Sequence, residues 1–160
     1  MAFRTTAFFC IAAAFTVATF AASAQMFSRG NGLVNESAYA LDRKNWRQGV
    51  ELAQEAMRSG ELMPSNTPAA YNNLCIGLTG LGKFDEAMDA CDSAIKLKPR
   101  QWSFYNNRGN IYFYRSEFDR ALAEYYKALT FSPGDDVLLQ NIALSLKVRK
   151  GRGPAKNQSS

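Results

Sequence analysis

No histidine occurs anywhere in the 160 residues. That removes imidazole as general base, proton shuttle or metal ligand, and with it most Ser–His and Cys–His catalysis. Cysteine is scarce as well. The three residues, Cys10, Cys75 and Cys91, are too few, without histidine, for an ordinary four-ligand zinc site. No carboxylate pair, nucleophile–base pair or Gly-rich phosphate loop stands out. The chain is therefore expected to be no enzyme and to hold no metal or cofactor. What is present is globular in composition: 47% hydrophobic, 12% aromatic and 21% charged, which excludes wholesale disorder. The length suits one domain or a short repeat array. The formal charge of +5 is misleading until it is located. Of 19 bases, Arg4 lies in the first residues and five (Lys147, Arg149, Lys150, Arg152, Lys156) lie at the end, leaving 13 between 25 and 146 against all 14 acids. The body is near neutral, so no specific nucleic-acid footprint is expected.

The first residues read as an address. Met1–Arg4 is a short basic start, and Thr5 to Ala22 carries no charge and is rich in Ala and Phe. It ends in Ala22-Ser23-Ala24, small residues that fit the narrow subsites of a signal peptidase. Residues 1–24 are thus expected to be a secretory signal peptide, removed on maturation with Cys10. The other reading is an uncleaved membrane anchor, because the uncharged run is nearly long enough to span. Cleavage would leave no transmembrane span. The destination would be the periplasm or the exterior, where cysteines meet an oxidising milieu.

Internal repetition organises the rest. A shift of 34 residues lays Tyr71 on Tyr105, Asn72 on Asn106, Asn73 on Asn107, Phe84 on Phe118, Asp85 on Asp119, Ala87 on Ala121, Ala94 on Ala128 and Pro99 on Pro133. Each unit reads as two helices. In the first, Tyr71, Leu74, Cys75 and Leu78 share one face at helical spacing. Thr67-Pro68 reads as an N-cap and first helical position, and Gly80-Leu81-Gly82 as a stop. The second helix runs from about Phe84 to Leu97, with Phe84, Ala87, Met88, Cys91, Ala94 and Ile95 on its inner face, and stops before Pro99. The next unit repeats this with Tyr105, Gly109 and Tyr112, then Phe118, Ala121, Tyr125 and Ala128. A weaker first unit places Trp46 where Phe84 falls, and Gly49, Ala53 and Ala56 where Ala87, Cys91 and Ala94 fall. Its offset is 38, so four residues are inserted near Pro64–Thr67. A last helix, about 136–149, carries Leu139, Ile142, Ala143 and Leu146 on one face and is expected to cover the open end of the stack.

These residues resemble the tetratricopeptide repeat. Its pattern is W-x2-L-G-x2-Y, A-x3-F, P; here one unit reads Tyr105-x2-Arg108-Gly109-x2-Tyr112, Ala121-x3-Tyr125, Pro133, and the preceding one Tyr71-x2-Leu74-Cys75-x2-Leu78, Ala87-x3-Cys91, Pro99. Cys75 for Gly, Leu78 for Tyr and Arg108 for Leu are departures. The expected fold is all-α, an α-solenoid over residues 30–149: units at about 30–63, 68–101 and 102–135, the capping helix at 136–149, and a basic tail at 150–160. The resemblance implies a right-handed superhelix whose concave face, built from the first helix of each pair, holds peptides or proteins.

On that helix Asn73 points roughly 150° from the core stripe. Its equivalents are Asn35, Asn107 and Asn141, with Asn72, Asn106 and Asn110 close by. Asparagine is roughly 0.6 kcal/mol worse than alanine inside a helix, so its recurrence asks for a reason. One is that each amide, donor and acceptor at once, pairs with the backbone of an extended peptide. The other is that the amides bond between neighbouring repeats or are merely common there. Ile76 and Tyr114 join the candidate peptide-binding set as apolar contacts, whereas Phe113 is expected to be buried against the adjacent repeat. Arg108 is expected to snorkel. An amide-rich groove disfavours the lysine–arginine carboxylate clamps of the family.

Cys75 and Cys91 fall on facing helices of one unit, either as a disulfide formed after export or as two small buried thiols. The tail KVRKGRGPAKNQSS reads as a solvated end or as a weak attraction to an anionic surface. The expected function is a non-catalytic protein–protein interaction module of an exported protein, binding a protein or extended peptide. The alternative is a structural scaffold that self-associates through the ends of the stack.

Overall fold

The computed structural model describes residues 29–151. The leader expected at 1–24 and the tail from 152 onward lie outside the described residues. Within them all regular structure is helical: α1 (29–42), α2 (Trp46–Arg58), α3 (Thr67–Gly80), α4 (Phe84–Leu97), α5 (Trp102–Tyr114), α6 (Phe118–Leu129) and α7 (Asp136–Gly151). Helices α1/α2, α3/α4 and α5/α6 form antiparallel hairpins, each closed by three residues, and the hairpins stack in chain order with α7 against α6. This is the expected all-α helical repeat. The bounds differ by little: Asn66, not Thr67, flanks the start of α3, and α7 reaches Gly151.

The hairpins turn by one device. Lys44, Gly82 and Ser116, at equivalent places in the three units, have φ of 60°, 74° and 67°. Each left-handed residue lets the next N–H reach back to the first helix: Asn45 to the Ala40 carbonyl at 2.9 Å, Lys83 to Leu78 at 2.9 Å, Glu117 to Tyr112 at 2.8 Å. This six-to-one bond satisfies a carbonyl that the helix end would otherwise orphan. Glycine performs it without strain in one unit only, so Lys44 and Ser116 hold their conformation at a cost of roughly 1–2 kcal/mol each.

Packing follows the small residues. Gly49, Ala53, Ala56, Ala87, Cys91, Ala94, Ala121 and Ala128 are buried, as their places in the repeat require. Gly109 marks a close approach of α5 to α6: a Cβ there would lie 2.5 Å from Cε1 of Tyr125. The middle core gathers Leu74, Cys75 and Leu78 from α3 with Ala87 and Cys91 from α4, and reaches Val50 and Ile111 in the neighbouring units. Across the α3–α4 seam the Cys75 and Cys91 sulfurs stand within bonding distance, with their Cα atoms 5.2 Å apart, inside the range a disulfide needs.

Helix α7 does close the stack, but of the four residues expected to cover it only Ile142 is buried. Leu138 and Ile142 enter the core beside Tyr105, Leu122 and Tyr125, and Ser145 is buried with them. Leu139, Ala143 and Leu146, expected on the covering face, are exposed. The reason is positional. They occupy the places of Tyr105, Gly109 and Tyr112 in α5, the side that receives the second helix of a hairpin, and among the described residues α7 has no second helix.

Candidate peptide-binding trough

The asparagines first build contacts between repeats. Asn73 donates its side-chain amide to the Val34 carbonyl at 2.9 Å. Asn107 donates to Asn72 Oδ1 at 2.8 Å, and Asn141 to Asn106 Oδ1 at 2.8 Å. Allowing for the insertion, Val34, Asn72 and Asn106 are equivalent, so one bond recurs at three successive interfaces. At the first interface valine leaves only its backbone carbonyl to accept. Asn106 also donates to Asn107 Oδ1 at 3.4 Å. The insertion is tied down similarly, Asn66 donating to Asn31 Oδ1 at 2.8 Å.

Beside this ladder the first helices leave two adjoining clefts. The larger, about 540 Å³, lies between the C-terminal halves of α3 and α5. Ile76, Thr79, Phe84 and Tyr114 form its walls, Trp46 one end, and Asn107 and Asn110 supply its amides. Phe84 and Tyr114 stack with ring centroids 6.4 Å apart. Gly80 is needed here: any Cβ would run into the Trp46 indole. The smaller cleft, about 170 Å³, continues toward α7 between Asn110, Phe113, Tyr114, Tyr125, Asn141 and Leu144. Neither lining contains a charged side chain. In the two linings, Asn110 Nδ2, Asn141 Oδ1, the Tyr114 hydroxyl and the Trp46 indole N–H have no hydrogen-bond partner among the described residues. Asn110 Oδ1 is already held, since the Tyr125 hydroxyl donates to it at 2.9 Å. Burial of Tyr125, with a smaller contribution from Tyr114, pushes its phenol pKa well up against a lowering bond to Ser145.

The candidate set therefore divides. Asn107, Asn110, Asn141, Ile76 and Tyr114 line the clefts. Asn73 and Asn106 do not: they are buried, 6% and 8% exposed, with amides spent inside the stack. The side of α3 opposite its own second helix meets α1, and that of α5 meets α3, so facing away from one core stripe is not facing solvent. Asn72 sits between ladder and surface, its Oδ1 taken by Asn107. Asn35 is exposed and lines neither cleft. Trp46, Thr79, Gly80 and Phe84 were missed, because Trp46 and Phe84 read as inner-face residues of their second helices. Their position next to the hairpin turn, where the helices splay, was the available signal. Phe113 packs edge-on against Phe118 at 5.5 Å and still borders the smaller cleft.

Charged side chains pair with one another outside the two linings. Arg108, expected to snorkel, is pinned between Asp92 at 2.6 Å and Glu124 at 2.9 Å, with its guanidinium 5.6 Å from the Tyr105 ring centroid. Burial alone would lower its pKa; bonds and charge from Asp92 and Glu124 outweigh that and raise it. Arg115 meets Asp85 at 3.0 Å and Arg149 meets Asp119 at 2.5 Å. These two pairs are related by the 34-residue repeat and staple consecutive hairpins at an exposed seam.

Comparison with known proteins gives a consistent fold. Residues 103–135 match the family model described as tetratricopeptide repeat. The Hsp70-Hsp90 organizing protein 3 of Arabidopsis thaliana is 25% identical over 71% of this chain, which spans 18% of that relative. Among solved structures, the first TPR domain of the human RPAP3 protein superposes with a TM-score of 0.69 at 17% identity, over 79% of this chain and 96% of that one. The first TPR of Spaghetti (RPAP3), bound to the HSP90 peptide SRMEEVD, superposes with a TM-score of 0.65 at 17% identity, over 77% of this chain and 94% of that one. The match assigns a tetratricopeptide repeat to residues 103–135, and the superpositions show that the whole described stack has that fold.

Proposed function

We propose that this chain is a non-catalytic interaction module that holds an extended segment of a partner protein across the two clefts. The observation that carries the reading is the uncharged lining. Phe84, Tyr114, Ile76 and Trp46 offer an apolar seat, with free amide groups of Asn110 and Asn141 one helical pitch and one repeat apart. A cleft of about 540 Å³ suits a large side chain with its flanking backbone. The amides bind backbone irrespective of sequence, and the ring stack supplies contact area. The peptide named for the superposable Spaghetti domain, SRMEEVD, supports an extended peptide as occupant. Its acidic character does not carry over, because no base lines either cleft here. The preferred ligand is a neutral segment with one bulky apolar residue.

The reading extends to an exported compartment, the leader-like residues 1–24 and the apposed Cys75 and Cys91 supporting it. An array of extended peptides tests the ligand class. Neutral peptides bearing Leu, Phe or Met are expected to bind above SRMEEVD. Preference for the acidic peptide would reject the assignment. Intact mass of protein from its native host, with and without reductant and alkylation, tests the compartment. A leaderless chain with two blocked thiols is expected, and two alkylated thiols would refute export with a formed bridge.

A further inference from the structure

The exposed side of α7 is self-complementary. Leu139 and Leu146 are 47% and 38% exposed, and Ala143 between them is exposed too. With Asp136, Gln140, Lys147 and Lys150 they form one continuous stripe at spacings of three, four and seven. Three places in α5, Tyr105, Gly109 and Tyr112, are covered by α6, and the small residue Gly109 lies where the Tyr125 ring leaves no room for a Cβ. In α7 the small residue is Ala143, and no described helix lies on it.

We infer that α7 pairs with α7 of a second copy of this chain, antiparallel about a twofold axis beside Ala143. The register follows from the sequence. A twofold at Ala143 sets Asp136 opposite Lys150 of the second copy, and Leu139 opposite the aliphatic stem of its Lys147. Ala143 meets its own mate, so the helices approach closely, as α5 and α6 do at Gly109. The charges complement one another only in this direction, acid at the N-terminal end meeting base at the C-terminal end. They are also available: Asp135 caps α7 through the N–H groups of Val137 and Leu138, and Arg149 is taken by Asp119, while Asp136, Lys147 and Lys150 make no bond among the described residues. A twofold contact uses the same patch on both copies, which this stripe provides. Antiparallel pairing also reproduces the direction in which α6 lies on α5. The inference does not rest on peptide binding, because no residue of the stripe lines either cleft.

Sedimentation velocity on the full chain over a concentration series is the test. A reversible species near twice the 17.7 kDa chain mass is expected. Ala143→Glu, at an exposed site, should raise the dimer dissociation constant at least tenfold with unchanged helical circular dichroism. Asp136→Lys and Lys150→Asp should each weaken the dimer, and the two together should restore it, which only the antiparallel register explains. Tyr114→Ala should leave the mass unchanged. A chain that stays monomeric at all concentrations overturns the inference. So does a dimer indifferent to Ala143→Glu, or a charge reversal that fails to restore pairing.

Discussion

Asn107 gives its side-chain amide to Asn72 Oδ1 at 2.8 Å, and one repeat later Asn141 gives the same bond to Asn106 at the same distance. The bond joins first helices of adjacent hairpins and fixes their relative height, which places Asn110 and Tyr114 at the mouth of the clefts. Alanine at 107 should lower stability by about 1 kcal/mol, the net worth of one hydrogen bond. A double-mutant cycle of Asn72 and Asn107 in urea should show coupling of about 0.5–1.5 kcal/mol. Additive effects would mean that the bond contributes nothing.

Asn73 makes the corresponding bond at the first interface while buried. Replacing it by alanine removes a donor and opens space inside the stack. A loss of about 1–3 kcal/mol is expected in the denaturant midpoint, more than for the partly exposed Asn107.

The turn residues give an opposite sign. Ser116 holds φ at 67° without glycine's freedom. Ser116→Gly should stabilise the chain by about 0.5–1 kcal/mol, the relief of left-handed strain less the added entropy of the unfolded chain. Gly82→Ala should destabilise it by about 1 kcal/mol. Thermal melts of the two variants decide both.

Tyr125 predicts a dependence on alkaline pH. Its phenol pKa is raised in the fold, chiefly by burial. An acid held above its unfolded value stays protonated in the native state while the unfolded chain ionises, so its contribution is complete below about pH 10 and declines above it. Urea midpoints followed upward from pH 9 should fall more steeply for the native chain than for Tyr125→Phe. The same variant frees Asn110 Oδ1 and should be less stable by about 1 kcal/mol at neutral pH.

A bond between Cys75 and Cys91 would close a loop of 16 residues. In the loop-entropy account that is worth about 3 kcal/mol. Exported protein should therefore unfold at a lower urea midpoint once reduced, and Cys75→Ser with Cys91→Ser should match the reduced form.

The architecture was legible because each unit repeats its own signals. Phe84 and Phe118 begin second helices, Gly109 and Ala121 mark close approach, and Pro133 closes a unit. The asparagine register was legible for the same reason. The use of the amides was not, because a helical wheel places a residue relative to one neighbour, and Asn73 and Asn106 have two. Of the covering side of α7 only Ile142 was legible, because Leu139, Ala143 and Leu146 copy the inner face of α5. The helix that makes that face an inner one is not among the described residues. Arg108 could have been read from Asp92 and Glu124, each 16 residues away, and the Arg115–Asp85 pair from its copy at Arg149 and Asp119.

Titration calorimetry with the strongest neutral peptide from the array measures the claim about the clefts most directly. Asn110→Ala with Tyr114→Ala should weaken binding at least tenfold. Tyr126→Ala, at a residue also exposed on α6 but outside both clefts, should leave it unchanged. Undiminished affinity in the cleft variant, or an equal loss in Tyr126→Ala, would contradict the account.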